Sequence, residues 1–156
     1  MSSEPENPVV YKLALSKLTK LCSTKEMCTY EVGEKLKAMG VSFSDKDLII
    51  TYLIENKYID DRRYAGAFVN DKIRFQKWGY SRIRQELSRK KISSSTIEDA
   101  IALFDSNEYE EMMKAELRKK QKIMGDVNDA SHKARLFRFG ASRGYDMDFL
   151  YRFLNL

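Results

Sequence analysis

Cap and turn residues recur along this chain at a nearly constant interval, which restricts its fold more than any other feature. Ser44 and Ser95 stand 51 residues apart, and Asp146 follows Ser95 after another 51. The turn residues Val41, Ile92 and Tyr145 are separated by 51 and 53 positions, and Leu36 and Leu87 each precede their turn by five. A period of this length marks stacked helical modules, each burying its apolar faces mainly against its neighbours. Gly140 occupies the leucine position in the third copy, so that copy diverges. Three sets of similar helix lengths would give the same spacing without a true repeat.

Apolar residues at helical spacing fill the intervals. Residues 1–8, with Pro5 and Pro8, read as a disordered tail. A first block, 9–57, carries helices over about Val9–Leu21 and about Met27–Met39, then a third from Ser44, where Asp47 completes a capping-box-like start. Their inward residues are Val10, Ala14, Leu18 and Leu21, then Val32, Leu36 and Met39, then Leu48, Ile49, Tyr52 and Leu53. In the middle block, 58–105, Asp60 or Asp61 starts a long helix, Gly79 stops it and Ser81 caps the next. Ser95 with Glu98 caps that block's third helix, which buries Ile97, Ile101 and Phe104. In the last block, 106–156, helices run from about Ser106 to a break at Gly125, from about Asp126 to Arg143, and from Asp146. The last of these presents Phe149, Leu150 and Phe153, while Glu110→Lys114 and Glu116→Lys120 pairs support a solvent-facing side on the first. The expectation is an all-α chain of three tandem three-helix repeats.

The middle block holds the most informative residues. Between Arg62 and Lys91 ten basic residues face only Asp71 and Glu86, an excess of eight charges in a chain of net charge +5. A positive field this local points to a docking surface rather than to general solubility. On a helix, Arg63, Asn70, Arg74 and Lys77 share one narrow sector. Tyr64, Phe68 and Phe75 share a second sector and Ala65, Val69 and Ile73 a third, an apolar arc wide enough for burial against two neighbours. The next helix buries Ile83 and Leu87 and shows Arg82, Gln85 and Arg89 on its polar side, with Lys90 and Lys91 at its end. Candidate binding residues are therefore Arg63, Arg74, Lys77, Arg82, Gln85, Arg89, Lys90 and Lys91; candidate core residues are Tyr64, Phe68, Phe75, Ile83 and Leu87. Such rows also occur as plain solvated faces. Trp78 and Tyr80 could stack on a base or a guanidinium, although packing at a helix junction is the commoner role.

Other features narrow the function classes. A charged fraction of 33% with 2 Pro and 7 Gly favours helices over sheets. No apolar run approaches the ~20 residues of a membrane span, and MSSEPENPVV lacks a basic, apolar signal region, so a cytoplasmic protein is expected. Cys22 and Cys28 match no common zinc spacing and His132 is the single histidine, which leaves free thiols and no metal or cofactor as the expectation. No phosphate-binding glycine loop, nucleophile elbow or paired-acid motif appears, so the chain reads as a non-enzyme.

The pieces Tyr58-Ile59-Asp60-Asp61, Tyr64-Ala65, Phe68-Val69, Gly79 and Arg82-Ile83-Arg84-Gln85-Glu86-Leu87, followed by the Lys91-Ile92 turn, stand in a specific order. In that order the middle block resembles the RecX family of recombination regulators. Leu36-Lys37-Ala38-Met39-Gly40 and Arg143-Gly144-Tyr145-Asp146 extend the resemblance more weakly to both sides. Lys90-Lys91 departs from the Lys-Gly or Arg-Gly more usual at the central turn, which leaves the geometry of that turn open. The resemblance implies an elongated, curved array of three-helix repeats, acting as a monomer. It implies binding to the RecA recombinase and its filament on single-stranded DNA, with inhibition of filament growth, ATP hydrolysis and strand exchange. Recombination, DNA repair and the SOS response are the implied setting, with single- or double-stranded DNA as a further possible contact. No catalytic residues carry over. The alternative from the residues alone is a free-standing helical nucleic-acid-binding protein acting without RecA, because short helices with basic rows also describe helix-turn-helix modules. A hydrolase or nuclease with an unrecognised site is the third class, and the lack of clustered His, Cys and acids argues against it.

Overall fold

Asn7 opens the first helix: its Oδ1 accepts the Val10 amide at 3.2 Å, and Pro8 follows where a missing N–H is tolerated. The computed structural model describes residues 4–125 and 127–156. Among the described residues it contains nine helices and no strand. They are α1 (Pro8–Thr24), α2 (Thr29–Ala38), α3 (Phe43–Glu55), α4 (Asp61–Gln76), α5 (Tyr80–Arg89), α6 (Ser94–Leu103), α7 (Ser106–Met124), α8 (Ala130–Arg143) and α9 (Met147–Leu154). None is long and apolar enough to cross a membrane.

The helix starts differ in detail from the sequence expectation. Ser42 and Ser93, not Ser44 and Ser95, cap α3 and α6; their hydroxyls accept the amides of Asp45 and Thr96, both at 3.3 Å. The cap must follow directly on the turn, which places it one residue after Val41 and Ile92. With Asp146 as the cap of α9, the caps repeat at 51 and then 53 residues, in step with the turns. Asp60 starts α4, its Oδ1 accepting the amides of Arg62 at 2.9 Å and Arg63 at 3.1 Å. Asp61 instead accepts the Thr29 amide at 2.8 Å and so serves α2. Ser81 lies inside α5 and donates its hydroxyl to Asp146 Oδ1 at 3.3 Å. Of the expected tail, residues 1–3 lie outside the described residues. The amides of Glu6 and Asn7 donate to Asp45 at 2.7 and 3.0 Å, which satisfies a carboxylate only 1% exposed. The expected start of α8 at Asp126 also lies outside the described residues; Asp129 is the cap, accepting the His132 amide at 2.9 Å.

The chain divides into two compact units, one reaching to Tyr64 and including Lys90–Ile92, the other comprising Ala65–Arg89 and Ser93–Leu156. In the first, α1 and α2 pack on α3 around Ala14, Leu18, Met27, Val32, Leu36, Ile49, Leu53 and Ile59. In the second, α5 packs on α6 and α8 packs on both α7 and α9. Ala65, Val69, Ile73, Ile83, Leu87, Ile97, Met113, Leu117, Leu136 and Leu150 are its buried hydrophobic side chains of 2% exposure or less. Gly140, where the repeat loses its leucine, would place a Cβ 2.5 Å from Leu150 Cδ2. Leu150 therefore fills the space from α9 that a leucine on α8 would otherwise take.

The turn left open by Lys91 is left-handed, with φ 60°, matching Gly40 at 75° and Gly144 at 89°. A lysine accepts that conformation at a cost of about 1–2 kcal/mol.

Candidate partner-binding site

The candidate site is organised by a close approach of two backbones in the second unit. Gly79 does not stop α4; the helix ends at Gln76 and Lys77 makes the left-handed turn, with φ 56°. The Gly79 amide donates to the Arg143 carbonyl at 2.7 Å and the Ser81 amide to the Gly144 carbonyl at 3.1 Å. The Tyr145 hydroxyl donates to the Lys77 carbonyl at 3.1 Å. A Cβ on Gly79 would sit 2.2 Å from the Gly144 oxygen, and one on Gly144 would sit 2.5 Å from Arg82 Cβ. Two glycines thus let the start of α5 dock on the end of α8, and that docking fixes where Arg82 stands.

Arg82 lies over Trp78, its guanidinium carbon 4.0 Å from the ring centre. Lys72 Nζ is 4.7 Å from the same ring and 5.3 Å from Phe68, whose ring meets Trp78 edge-on at 6.2 Å. No ion pair among the described residues holds either cation. A guanidinium laid on an indole keeps its N–H edge available to an anion while losing little freedom on binding. Arg82, Gln85 and Arg89 line one cleft of about 280 Å³ with Ser81, Glu86 and Ser142. Arg89 pairs with Glu86 within α5.

The other candidates, Lys91 apart, make contacts elsewhere. Arg63 Nε donates to both carboxylate oxygens of Glu26 at 2.9 Å, and its Nη atoms donate to the carbonyls of Lys57 and Tyr58, each at 3.3 Å. Arg74 donates to both carboxylate oxygens of Glu108, donates its Nε to Asn70 Oδ1 at 2.8 Å and lies 4.8 Å from the Phe104 ring centre. Both guanidinium pKa values are raised, chiefly by these carboxylate hydrogen bonds. Lys77 donates to the Arg74 carbonyl at 2.6 Å. Lys90 donates to Glu31 Oε2 at 3.1 Å. Burial works against the charge of Glu31, but hydrogen bonds from Lys90 and the Cys28 amide outweigh it and hold the carboxyl below its usual value. Lys91 is exposed at its turn. The structure thus brings together Arg82, Gln85 and Arg89 and gives Arg63, Arg74 and Lys90 clasping roles.

Among the expected core residues, Tyr64, Ile83 and Leu87 are buried and Phe68 is half-buried. Phe75 is a correction: it is 75% exposed, because the buried stripe of α4 follows Ala65, Val69 and Ile73 and leaves Phe75 beside it. Neither candidate stacking ring is open. Trp78 carries Arg82, and Tyr80 lies flat on Tyr109 at 3.7 Å while its amide donates to the Tyr109 hydroxyl at 3.1 Å. Lys72 was missed as a functional candidate; its i, i+4 spacing from Phe68 was the available signal. Glu110 does pair with Lys114, at 3.4 Å, but Glu116 stands 3.9 Å from Arg143 instead of pairing with Lys120. Cys22 and Cys28 are free and buried, and burial pushes the Cys28 thiol up to about 11.

Comparison with known proteins decides the family. The profile of the second three-helix domain of RecX matches residues 60–101. A regulatory protein RecX of Vibrio parahaemolyticus is 34% identical over 128 residues, covering 82% of this chain and 81% of its own. This chain belongs to the RecX family. The regulatory protein RecX of Clostridium botulinum strain Eklund 17B is 30% identical over 122 residues, covering 77% of this chain and 57% of its own. The crystal structure of RecX from Lactobacillus salivarius superposes with a TM-score of 0.85 at 19% identity, over 96% of this chain and 97% of that one. A second crystal structure, of a regulatory protein RecX, gives 0.82 at 22% identity over 94% of this chain and 71% of that one. The all-α RecX fold is therefore shared, and the chain is a regulatory protein by family.

Proposed function

We propose that the chain binds the RecA recombinase and its filament on single-stranded DNA, inhibiting filament growth, ATP hydrolysis and strand exchange. It acts in the cytoplasm by occupancy and not by catalysis. Membership of the RecX family sets the class of activity, and one structural observation carries the assignment of a surface. Arg82 is held on Trp78 with no ion-pair partner among the described residues, in a cleft shared with Gln85, Glu86 and Arg89, where Glu86 is taken by Arg89. A cation fixed by packing and left without an ion pair is prepared for an acidic side chain or a phosphate on a partner. Arg63, Arg74 and Lys90 already hold internal carboxylates and contribute less.

Pull-down of RecA by the immobilised chain, with and without single-stranded DNA, tests the reading. Retention that is strongest with the filament and is lost on Arg82→Glu with Arg89→Glu supports it. Absence of retention under either condition overturns it.

A further inference from the structure

A groove beside α8 and α9 lies at the far end of α8 from the Arg82 cleft, which takes Ala141, Ser142 and Gly144 from that helix and its cap. Ala130, Ala134 and Phe137 line it from α8, and Tyr151 and Leu156 from α9 and its end, around a space of about 560 Å³ open to solvent. Ala130 and Ala134 stand at i, i+4 and Phe137 three residues on, so one face of α8 is apolar but cut low at two successive turns. Phe137 stacks on Tyr151 with ring centres 5.6 Å apart, which joins the two helices beside the groove. Asn155 makes a left-handed turn, φ 56°, and the Leu156 amide donates to the Tyr151 carbonyl at 3.0 Å, so the chain folds back and sets Leu156 against the groove. Tyr151 and Leu156 are left 45% and 64% exposed, an apolar surface that packing within the fold does not cover. Lys133 and Arg138 also line the groove. Neither enters an ion pair among the described residues, and no side chain lining the groove is acidic.

Sites for small molecules enclose most of their ligand, whereas an open groove covers one side of a chain segment. Along α8 the apolar face from Ala130 to Phe137 runs about 10 Å at about 1.5 Å per residue, the length of about three extended residues. Its apolar floor selects a bulky apolar side chain, and its two unpaired cations, with no acid opposing them, select negative charge beside that side chain. We propose that this groove docks an acidic peptide segment of a partner protein. One bulky apolar side chain of the segment lies over Ala130 and Ala134 against the Phe137–Tyr151 pair, and its flanking carboxylates reach Lys133 and Arg138. Affinity comes from burying the anchor, and the two cations set which segments are accepted. Arg82, Gln85 and Arg89 take no part, so this site stands or falls independently of the surface assigned to RecA.

The test is fluorescence anisotropy, with RecA absent, of a labelled peptide in which a phenylalanine is flanked by aspartates. At about eight residues it is longer than the groove. Exchanging its phenylalanine for serine should weaken binding at least about tenfold, the loss of one buried aromatic side chain. Ala134→Phe should do the same, because position 134 is exposed and the new ring fills the groove without entering the core. Lys133→Glu with Arg138→Glu should also lose at least about tenfold, as repulsion replaces attraction. Lys133→Gln with Arg138→Gln should weaken binding in the same direction, and it decides the matter if the reversal variant unfolds. Lys12→Glu, Lys17→Glu and Lys20→Glu together on α1 should leave binding within about twofold of the parent, since remote charge acts only through a screened field. Arg82→Glu with Arg89→Glu should likewise stay within about twofold. Absence of parent binding at low salt, equal binding of the serine peptide, or binding unchanged by Ala134→Phe would overturn the proposal. So would self-association of the parent that Ala134→Phe abolishes, because a second copy would then be the occupant.

Discussion

Replacing Gly79 by alanine tests the packing that positions the site. The new Cβ would lie 2.2, 2.3 and 2.5 Å from the Gly144 oxygen, the Gly144 carbonyl carbon and the Tyr145 nitrogen. All three are backbone atoms, so no side-chain rotation can absorb the clash, and overpacking of this kind costs about 1–3 kcal/mol. Separation of the two segments would also break the Gly79–Arg143 and Ser81–Gly144 hydrogen bonds, each worth about 0.5–1.5 kcal/mol. The sum is about 2–6 kcal/mol. At about 2–4 °C per kcal/mol for a chain of this size, the middle of that range lowers the melting temperature by roughly 12 °C. Gly66→Ala is the matched control. Its Cβ would meet nothing within 4 Å on α4, so it should raise stability by about 0.5–1 kcal/mol. Thermal and urea unfolding followed by circular dichroism read both. A Gly79→Ala variant that melts within about 1 °C of the parent would mean that the docking of α5 on α8 is not as tight as described.

Lys91→Gly should stabilise by about 0.5–1 kcal/mol in urea, because relief of the left-handed strain exceeds the added chain entropy. Ile73→Ala should cost about 2–5 kcal/mol and Phe75→Ala less than about 0.5 kcal/mol; equal losses would reverse the burial assigned on α4. Glu31, held below the ordinary carboxyl value of 4.5 in the fold, binds its proton less readily there than in the unfolded chain. Its stabilisation is present above that value and lost as pH falls through the lower folded pKa. Glu31→Gln should therefore flatten the loss of stability below about pH 4.5, and identical acid limbs would show that the Lys90 pair contributes nothing.

Periodicity made the helices legible because burial alone sets it: Leu18, Leu36, Leu53, Ile83 and Leu87 are read off the sequence and found fully buried. Caps were misplaced by two residues at Ser44 and Ser95 because neighbouring serines are equivalent in pattern, and only the turn decides which one faces the free amides. Phe75 was misread because a 100° projection cannot tell which apolar sector meets a neighbour near a helix end. At the site, the basic residues were visible as a charge excess, but their partners were not. Glu26 and Glu108 lie 37 and 34 residues from the arginines they hold, a separation no local spacing rule reaches. Arg82 emerged as the prepared cation only after Gly79 and Gly144 were seen to touch.

The most direct measurement is RecA's ATP hydrolysis on single-stranded DNA, titrated with the chain and with its Arg82→Glu, Arg89→Glu variant. Charge reversal at these exposed or half-buried positions should leave the fold within about 1 kcal/mol per site, so a change in inhibition reports on binding. The expected result is hydrolysis that falls with added parent chain and persists with the variant, whose melting curve stays close to the parent's. Hydrolysis unaffected by the parent chain at saturating concentration would contradict the account.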